Sequence, residues 1–158
     1  MPLIKLPKMD EEEIKKELEN NDICRIAFID NIFPYISPFQ YLLINDSLYF
    51  HFTDYGKKKK ILNKNNNVCV SIENFKDDLS EYLFISIQGK LIKIENGEKR
   101  ALIIKKMIQR AKNKYSVNFL SVHGFDKNKG WEDFESDKSI IIYKLKEEKE
   151  RIGLKSII

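Results

Sequence analysis

The sequence predicts a mainly β protein with flanking helices, its antiparallel strands curled into a barrel. Three observations carry that expectation. Between residues 23 and 52, three runs rich in β-branched and aromatic residues (Ile23 to Ile29, Tyr35 to Ile44, Ser47 to Phe52) are separated by the turn pairs Asp30-Asn31 and Asn45-Asp46, the punctuation of an antiparallel meander. Tyr82 to Ile94 alternates over the longest such run and carries Gly89 inside it, the mark of a bulge or bend that curls a sheet. Two other segments repeat at the helical period instead, one near each end of the strand-rich region.

Taken in order, Asp10 and Glu13 stand at capping-box spacing before Ile14 and Leu18, so an amphipathic helix is expected from about Asp10 to Asn20, stopped by Asn20, Asn21 and Asp22. The three strands follow. Pro34 and Pro38 lie at the second of them, and because proline cannot donate to a ladder, that strand should be irregular or lie at an edge. Thr53 to Gly56 reads as a loop, Lys57 to about Asn63 as a short helix, and Val68 to Ile72 as a strand after Asn65-Asn66-Asn67. A polar loop, Asn74 to Ser80, precedes the long strand. Glu98 to about Lys112 then places Ala101, Leu102, Lys105, Ile108 and Ala111 on one helical period, widened by Ile104 and Met107. Ser116 to Ser136 is expected to be mostly irregular, and Ser139 to Leu145 a last strand before a charged tail.

The 158 residues, 42% hydrophobic and 33% charged, suffice for one core, so a single domain over residues 1–158 is expected. No run approaches the roughly 18 apolar residues of a membrane span, and the start MPLIKLPKMDEEE has no apolar stretch behind its lysines. A soluble, unprocessed protein follows. Cys24 and Cys69 are too few and too far apart for a zinc site or disulfide framework, which favours a reducing cytoplasm and no metal. The net charge of +4 is too mild to imply nucleic acid by itself.

The chemistry-bearing stretch is Leu48 to Val70, which couples a strand, a loop ending at Gly56 and a helix that begins with Lys57 to Lys60. Cations in a first helical turn oppose the macrodipole by roughly 0.3–1 kcal/mol each when exposed, and a phosphate shared between helix N–H groups and ammonium groups would relieve this. A solvated lysine surface is the plainer alternative. No Ser-His-Asp or Cys-His constellation is present, so the catalytic residues are not identified.

Pro34 to Pro38 in the order P-Y-x-x-P, Leu48 to His51 as LYFH, then GKK from Gly56 with Leu62, and the Asn-rich turn before Val68-Cys69 together resemble the pyridoxamine 5′-phosphate oxidase-like flavoproteins, and within them the nitroimidazole-reductase-like branch. The resemblance runs from about Asp22 to Lys90 and is only general from Gly97 onward. It implies an antiparallel split β-barrel, the FMN-binding split barrel, forming a homodimer with FMN at the subunit interface. It implies further that Lys57 and Lys58 bind the FMN phosphate beside Gly56, that His51 and Phe52 line the site, and that Ser37, Pro38, Phe39 and Gln40 face the isoalloxazine ring. Trp131, in KGWEDF, either anchors its loop in a hydrophobic groove or reaches the partner's flavin pocket; His123, beside Gly124, reads as part of a turn. Relatives often carry a small polar residue where this chain has Phe84, a position that Ser86 or Gln88 would have to replace. The ending RIGLKSII lacks the segment that true pyridoxamine phosphate oxidases use for substrate, so vitamin B6 is not the expected substrate.

The function expected is therefore an FMN-dependent oxidoreductase passing hydride or electrons to a small oxidised acceptor, with no membrane partner. Two other readings stand beside it. One is a nucleic-acid-binding barrel in which Tyr35, Phe39, Tyr41, Phe52 and Lys57 to Lys60 make the surface. The other is the same barrel holding haem, with His51 as axial ligand, or a deazaflavin.

Overall fold

A computed structural model describes residues 2–116, 118–126 and 128–157. Helix α1 (Glu11–Asn20) begins at the expected capping box, in which the Glu13 N–H donates to the Asp10 carboxylate at 2.8 Å and the Asp10 N–H to Glu13 at 2.9 Å. Strands β1 (Ile23–Asp30), β2 (Phe33–Gln40), β3 (Leu42–Ile44) and β4 (Ser47–Thr53) follow, then helix α2 (Lys57–Lys64), β5 (Asn67–Phe75) and β6 (Tyr82–Lys93). Helix α3 (Gly97–Lys114), the short helices α4 (Phe119–Val122) and α5 (Trp131–Ser136), and β7 (Ile140–Lys155) complete the order.

The seven strands form one antiparallel sheet in the order β2-β1-β5-β6-β7-β4-β3. It curls until Phe39 of β2 meets Phe52 of β4, ring centroids 4.7 Å apart, with Phe28 packed edge-on to Phe52 at 6.3 Å. The two strands share no ladder, so side chains rather than hydrogen bonds bring the sheet round, and the result is a split β-barrel with flanking helices. Alternation on β4 sends Leu48, Phe50 and Phe52 into the barrel core and Tyr49 to a second apolar cluster beneath α3 and α5. Both faces of this strand are therefore covered.

Four expectations are corrected. Tyr35 to Ile44 is not one strand of a meander: β2 and β3 lie at opposite edges of the sheet, and the chain crosses between them at Tyr41. That buried residue donates its N–H to the Asp22 carbonyl at 3.0 Å and its hydroxyl to the Leu18 carbonyl at 2.8 Å, so its polar groups are bonded outside any ladder. The longest strand is β7, not β6, because the charged tail continues through 16 residues and pairs back to Leu83. The buried face of α3 is Ile103, Ile104, Ile108 and Ala111, while Leu102 is 55% exposed. Ser116 to Ser136, expected to be mostly irregular, carries the short helices α4 and α5 between irregular stretches; residues 117 and 127 lie outside the described residues.

Other expectations hold in detail. β2, with its two prolines, is an edge strand. At Gly89 the β6–β7 register shifts, and a Cβ there would stand 2.8 Å from the Lys146 carbonyl oxygen, closer than any side chain fits. No helix of the described residues is long and apolar enough to cross a membrane.

Candidate functional site

The free edge of β2, the end of β4 and the start of α2 surround a cleft of about 370 Å³. From β2 it takes Pro38, Phe39 and Gln40; from β4, His51 and Phe52; and from the turn into α2, Gly56, Lys57 and Lys58. Eight of the ten residues named from the sequence thus meet in one place. Tyr35, Thr53, Tyr55 and His123 also line it. Of these, Thr53 ends β4 and Tyr55 lies in the loop after it, whose direction the sequence did not reveal.

The other two are placed elsewhere. Ser37 is buried and pairs across β1 with Ile26, whose side chain lies inside the barrel. Trp131 stacks on Phe119 at 5.6 Å and lines a smaller pocket of about 30 Å³, which also touches His51, Arg110 and Tyr115. Phe84 is remote from the cleft, beside Phe75 and Leu79. Ser86 lies 3.2 Å from the Cys69 sulfur, and Gln88 lines a separate recess with Cys69. Tyr41 and Phe52 are buried, so they offer no exposed stacking surface for a nucleic acid.

The α2 end of the cleft is cationic and open. Gly56 caps the helix at φ 90°, ψ −179°, a conformation that disfavours any side chain, and no atom lies within 4 Å of where a Cβ would stand. No side chain caps the helix and its first turn holds no acid, so its leading N–H groups lack side-chain partners. Lys57 is 3.2 Å from Asp30 and lies over the Tyr35 ring, while Lys59 is 3.2 Å from Asp54. Burial works against the Lys59 charge, yet its hydrogen bond to Asp54 holds its pKa above the ordinary value. Half-buried Lys58 differs: among the described residues it pairs with no carboxylate, and its ammonium rests 4.8 Å from the centre of the Phe39 ring. Among the described residues no Asp or Glu lines the cleft.

His51 lines both the cleft and the smaller pocket, 5.6 Å from the Phe134 ring and 6.2 Å from that of His123. Burial, then the neighbouring His123 and Lys58, push its pKa down to about 4. It is a neutral imidazole at pH 7. The turn read for His123 is the C-terminal end of α4, where its Nδ1 lies 2.8 Å from the Phe119 carbonyl. Among the described residues no cluster of three or more His, Cys, Asp or Glu could hold a metal ion.

The family model for pyridoxamine 5′-phosphate oxidase matches residues 10–127, spanning every element of the cleft. The chain belongs to this family. Solved structures share the fold at low identity. A FAD-binding protein of Mesorhizobium loti is 17% identical with a TM-score of 0.66, over 98% of this chain and 100% of its own. A candidate 5-nitroimidazole antibiotic resistance protein of Bacteroides thetaiotaomicron is 21% identical with a TM-score of 0.65, over 98% and 92%. The haem storage protein HutZ of Vibrio cholerae is 14% identical with a TM-score of 0.67, over 92% and 94%. No curated protein matches the sequence.

Proposed function

We propose that this family member binds a flavin phosphate, FMN, in the cleft and works as a homodimeric, cytoplasmic oxidoreductase that passes hydride or electrons to a small oxidised acceptor. The observation that carries the reading is the start of α2: an uncapped helix, a glycine that lets an anion reach its N–H groups, and a half-buried lysine with no carboxylate partner. These residues fit a phosphate dianion. When bound, the flavin supplies two-electron chemistry, as cofactors of this kind do. The chain's part is to hold and shield it. Lys58 and the helix N–H groups take the anionic end, with Lys57 beside them. Phe39 and Phe52 give the cleft an apolar wall, and the free edge of β2 offers backbone polar groups to the rim of a planar ring.

A second copy is proposed because apolar surface continues past the cleft along the same edge. Ile36 of β2 is 60% exposed and Ile29 of β1 47%, on the sheet face that also carries Pro38. A paired subunit covering that face would complete the wall that one protomer leaves open. Cys24 and Cys69 are both free thiols, which fits a reducing compartment.

The test is the absorbance spectrum of the purified protein, as isolated and after addition of FMN, with the mass measured by light scattering. Flavin bands shifted from those of free FMN, quenched fluorescence and a mass of two chains are expected. Unshifted, unquenched FMN would overturn the flavin reading, and a Soret band retained through purification would replace it with haem. A single-chain mass for the FMN-loaded protein would overturn the dimer.

A further inference from the structure

The sequence holds two histidines, 72 positions apart (123 − 51), and the fold brings them to one cleft with ring centroids 6.2 Å apart. We propose that His123 and His51 form a two-imidazole proton relay, in which His51 gives a proton to a reducible organic acceptor in the cleft and His123 replaces it from solvent. The proposal rests on the flavin reading above.

The geometry of each ring suits its part. A carbonyl oxygen only accepts, so the 2.8 Å contact of His123 Nδ1 with Phe119 means that Nδ1 carries the proton and Nε2 is left free. Stacking on Phe119 at 4.0 Å holds the ring, and the residue is exposed to water. His51 borders both the cleft and the smaller pocket, whose volume of about 30 Å³ admits a water molecule. The ionisable groups that share the two pockets with His51 are Tyr35 of β2, Tyr55 before α2, Lys57 and Lys58 of α2, His123 at the end of α4, Tyr41 before β3, and Arg110 and Tyr115 from α3 and its end. Among the described residues none of these is a carboxylate, and burial and the charges beside His51 disfavour an imidazolium. A neutral imidazole conducts a proton rather than storing one, taking it at one nitrogen as it leaves the other.

The balance closes without any covalent change to the protein. An acceptor that gains a hydride gains two electrons and one proton and is left with an anionic atom. His123 first takes a proton from water at its free Nε2; the acceptor's anionic atom then takes the N–H proton of His51, the opposite nitrogen of His51 takes the Nε2 proton of His123, and His123 returns to its neutral Nδ1–H form. An acceptor that takes electrons alone does not need the relay.

The test uses FMN-loaded protein, reduced without oxygen and mixed either with a benzoquinone, which needs protons, or with ferricyanide, which does not. For His123→Gln the quinone-to-ferricyanide rate ratio should fall at least about tenfold, and imidazole in the buffer should restore it in His123→Ala. An unchanged ratio, or two rates that fall together, overturns the relay and leaves His123 structural. In the flavin-free chain, the two histidine Cε1–H resonances report the pairing separately: His123→Gln should move the His51 midpoint upward, and an unmoved midpoint overturns the contact. Failure to take up flavin is visible before mixing; it overturns the flavin reading and takes the relay with it.

Discussion

Lys58→Gln isolates the interaction on which the flavin reading depends. In the free protein its ammonium spends its charge on the Phe39 ring, a contact worth roughly 0.5–1 kcal/mol. Moving to a phosphate dianion, it gains a charge-assisted hydrogen bond worth about 1.5–3 kcal/mol. The difference leaves about 1–2 kcal/mol, or a 5- to 30-fold rise in the Kd for FMN. Lys60→Gln removes the same charge from the same helical turn, but Lys60 is exposed and outside the cleft. At physiological salt, where the screening length is about 8 Å, its loss should raise the Kd less than about twofold. Both are read by quenching of flavin fluorescence, with riboflavin as the ligand that lacks the phosphate; Lys58→Gln should leave riboflavin binding unchanged. Lys60→Gln should be no less stable than the parent, because it removes a cation from a helix N-terminus, while in Lys58→Gln the same relief offsets the lost ring contact and stability should change by less than about 1 kcal/mol. Equal losses of FMN affinity for the two variants, or none for Lys58→Gln, would refute the assignment of this corner to the phosphate.

Three further outcomes follow from other parts of the molecule. The folded-state pKa of His51, about 4, lies below its unfolded value of 6.5, so the unfolded chain binds more protons between those limits and stability must fall as pH drops through that window. The loss at pH 5 should be about 2 kcal/mol, and urea titrations at pH 7.5 and pH 5 should show most of that difference vanish in His51→Gln. Asp22 is 13% exposed and bonds Arg110 at 2.8 Å and Lys114; burial works against its charge, but these cations hold its pKa below the usual 3.8. Its contribution is complete above that value and lost as pH falls through the folded pKa; Asp22→Asn should cost about 2–3 kcal/mol at neutral pH and remove the acid-side loss. Gly89→Ala would press a Cβ against the Lys146 carbonyl, which cannot step aside, and should cost about 2 kcal/mol or roughly 4–8 °C in Tm by calorimetry.

How legible each part was depends on how local its cause is. The capping box at Asp10, the edge placement implied by Pro34 and Pro38, and the bend at Gly89 were readable because each follows from the backbone chemistry of one or two residues. The break at Tyr41 was not. The run Tyr35 to Ile44 is uniformly strand-like, and what splits it is a pair of bonds to Asp22 and Leu18, residues distant in sequence. The charged tail misled for a related reason: β7 carries a run of exposed Lys and Glu from Lys146 to Glu150 that periodicity alone reads as solvated coil, while its pairing to β6 supplies the order. On α3, Ile103 and Leu102 are both apolar neighbours, and only the position of α5 and the sheet decides which faces inward.

The same contrast divides the candidate site. Its cationic end is a single stretch from His51 to Lys58, so spacing and the macrodipole argument reach it directly. Its apolar end exists only because two sheet edges approach without joining. Had β2 and β4 closed by hydrogen bonds, the edge groups of β2 would be consumed in a ladder and Phe39 would be wholly interior. Closure through the Phe39–Phe52 contact instead leaves an unpaired backbone edge and one ring face beside an uncapped helix. The complement of that surface is a planar molecule with hydrogen-bonding groups along one rim and an anion at one end. Closing the split by design, with residues that extend the β2 ladder, should therefore abolish FMN binding even with every lysine retained; tight binding by such a variant would show that the edge contributes nothing.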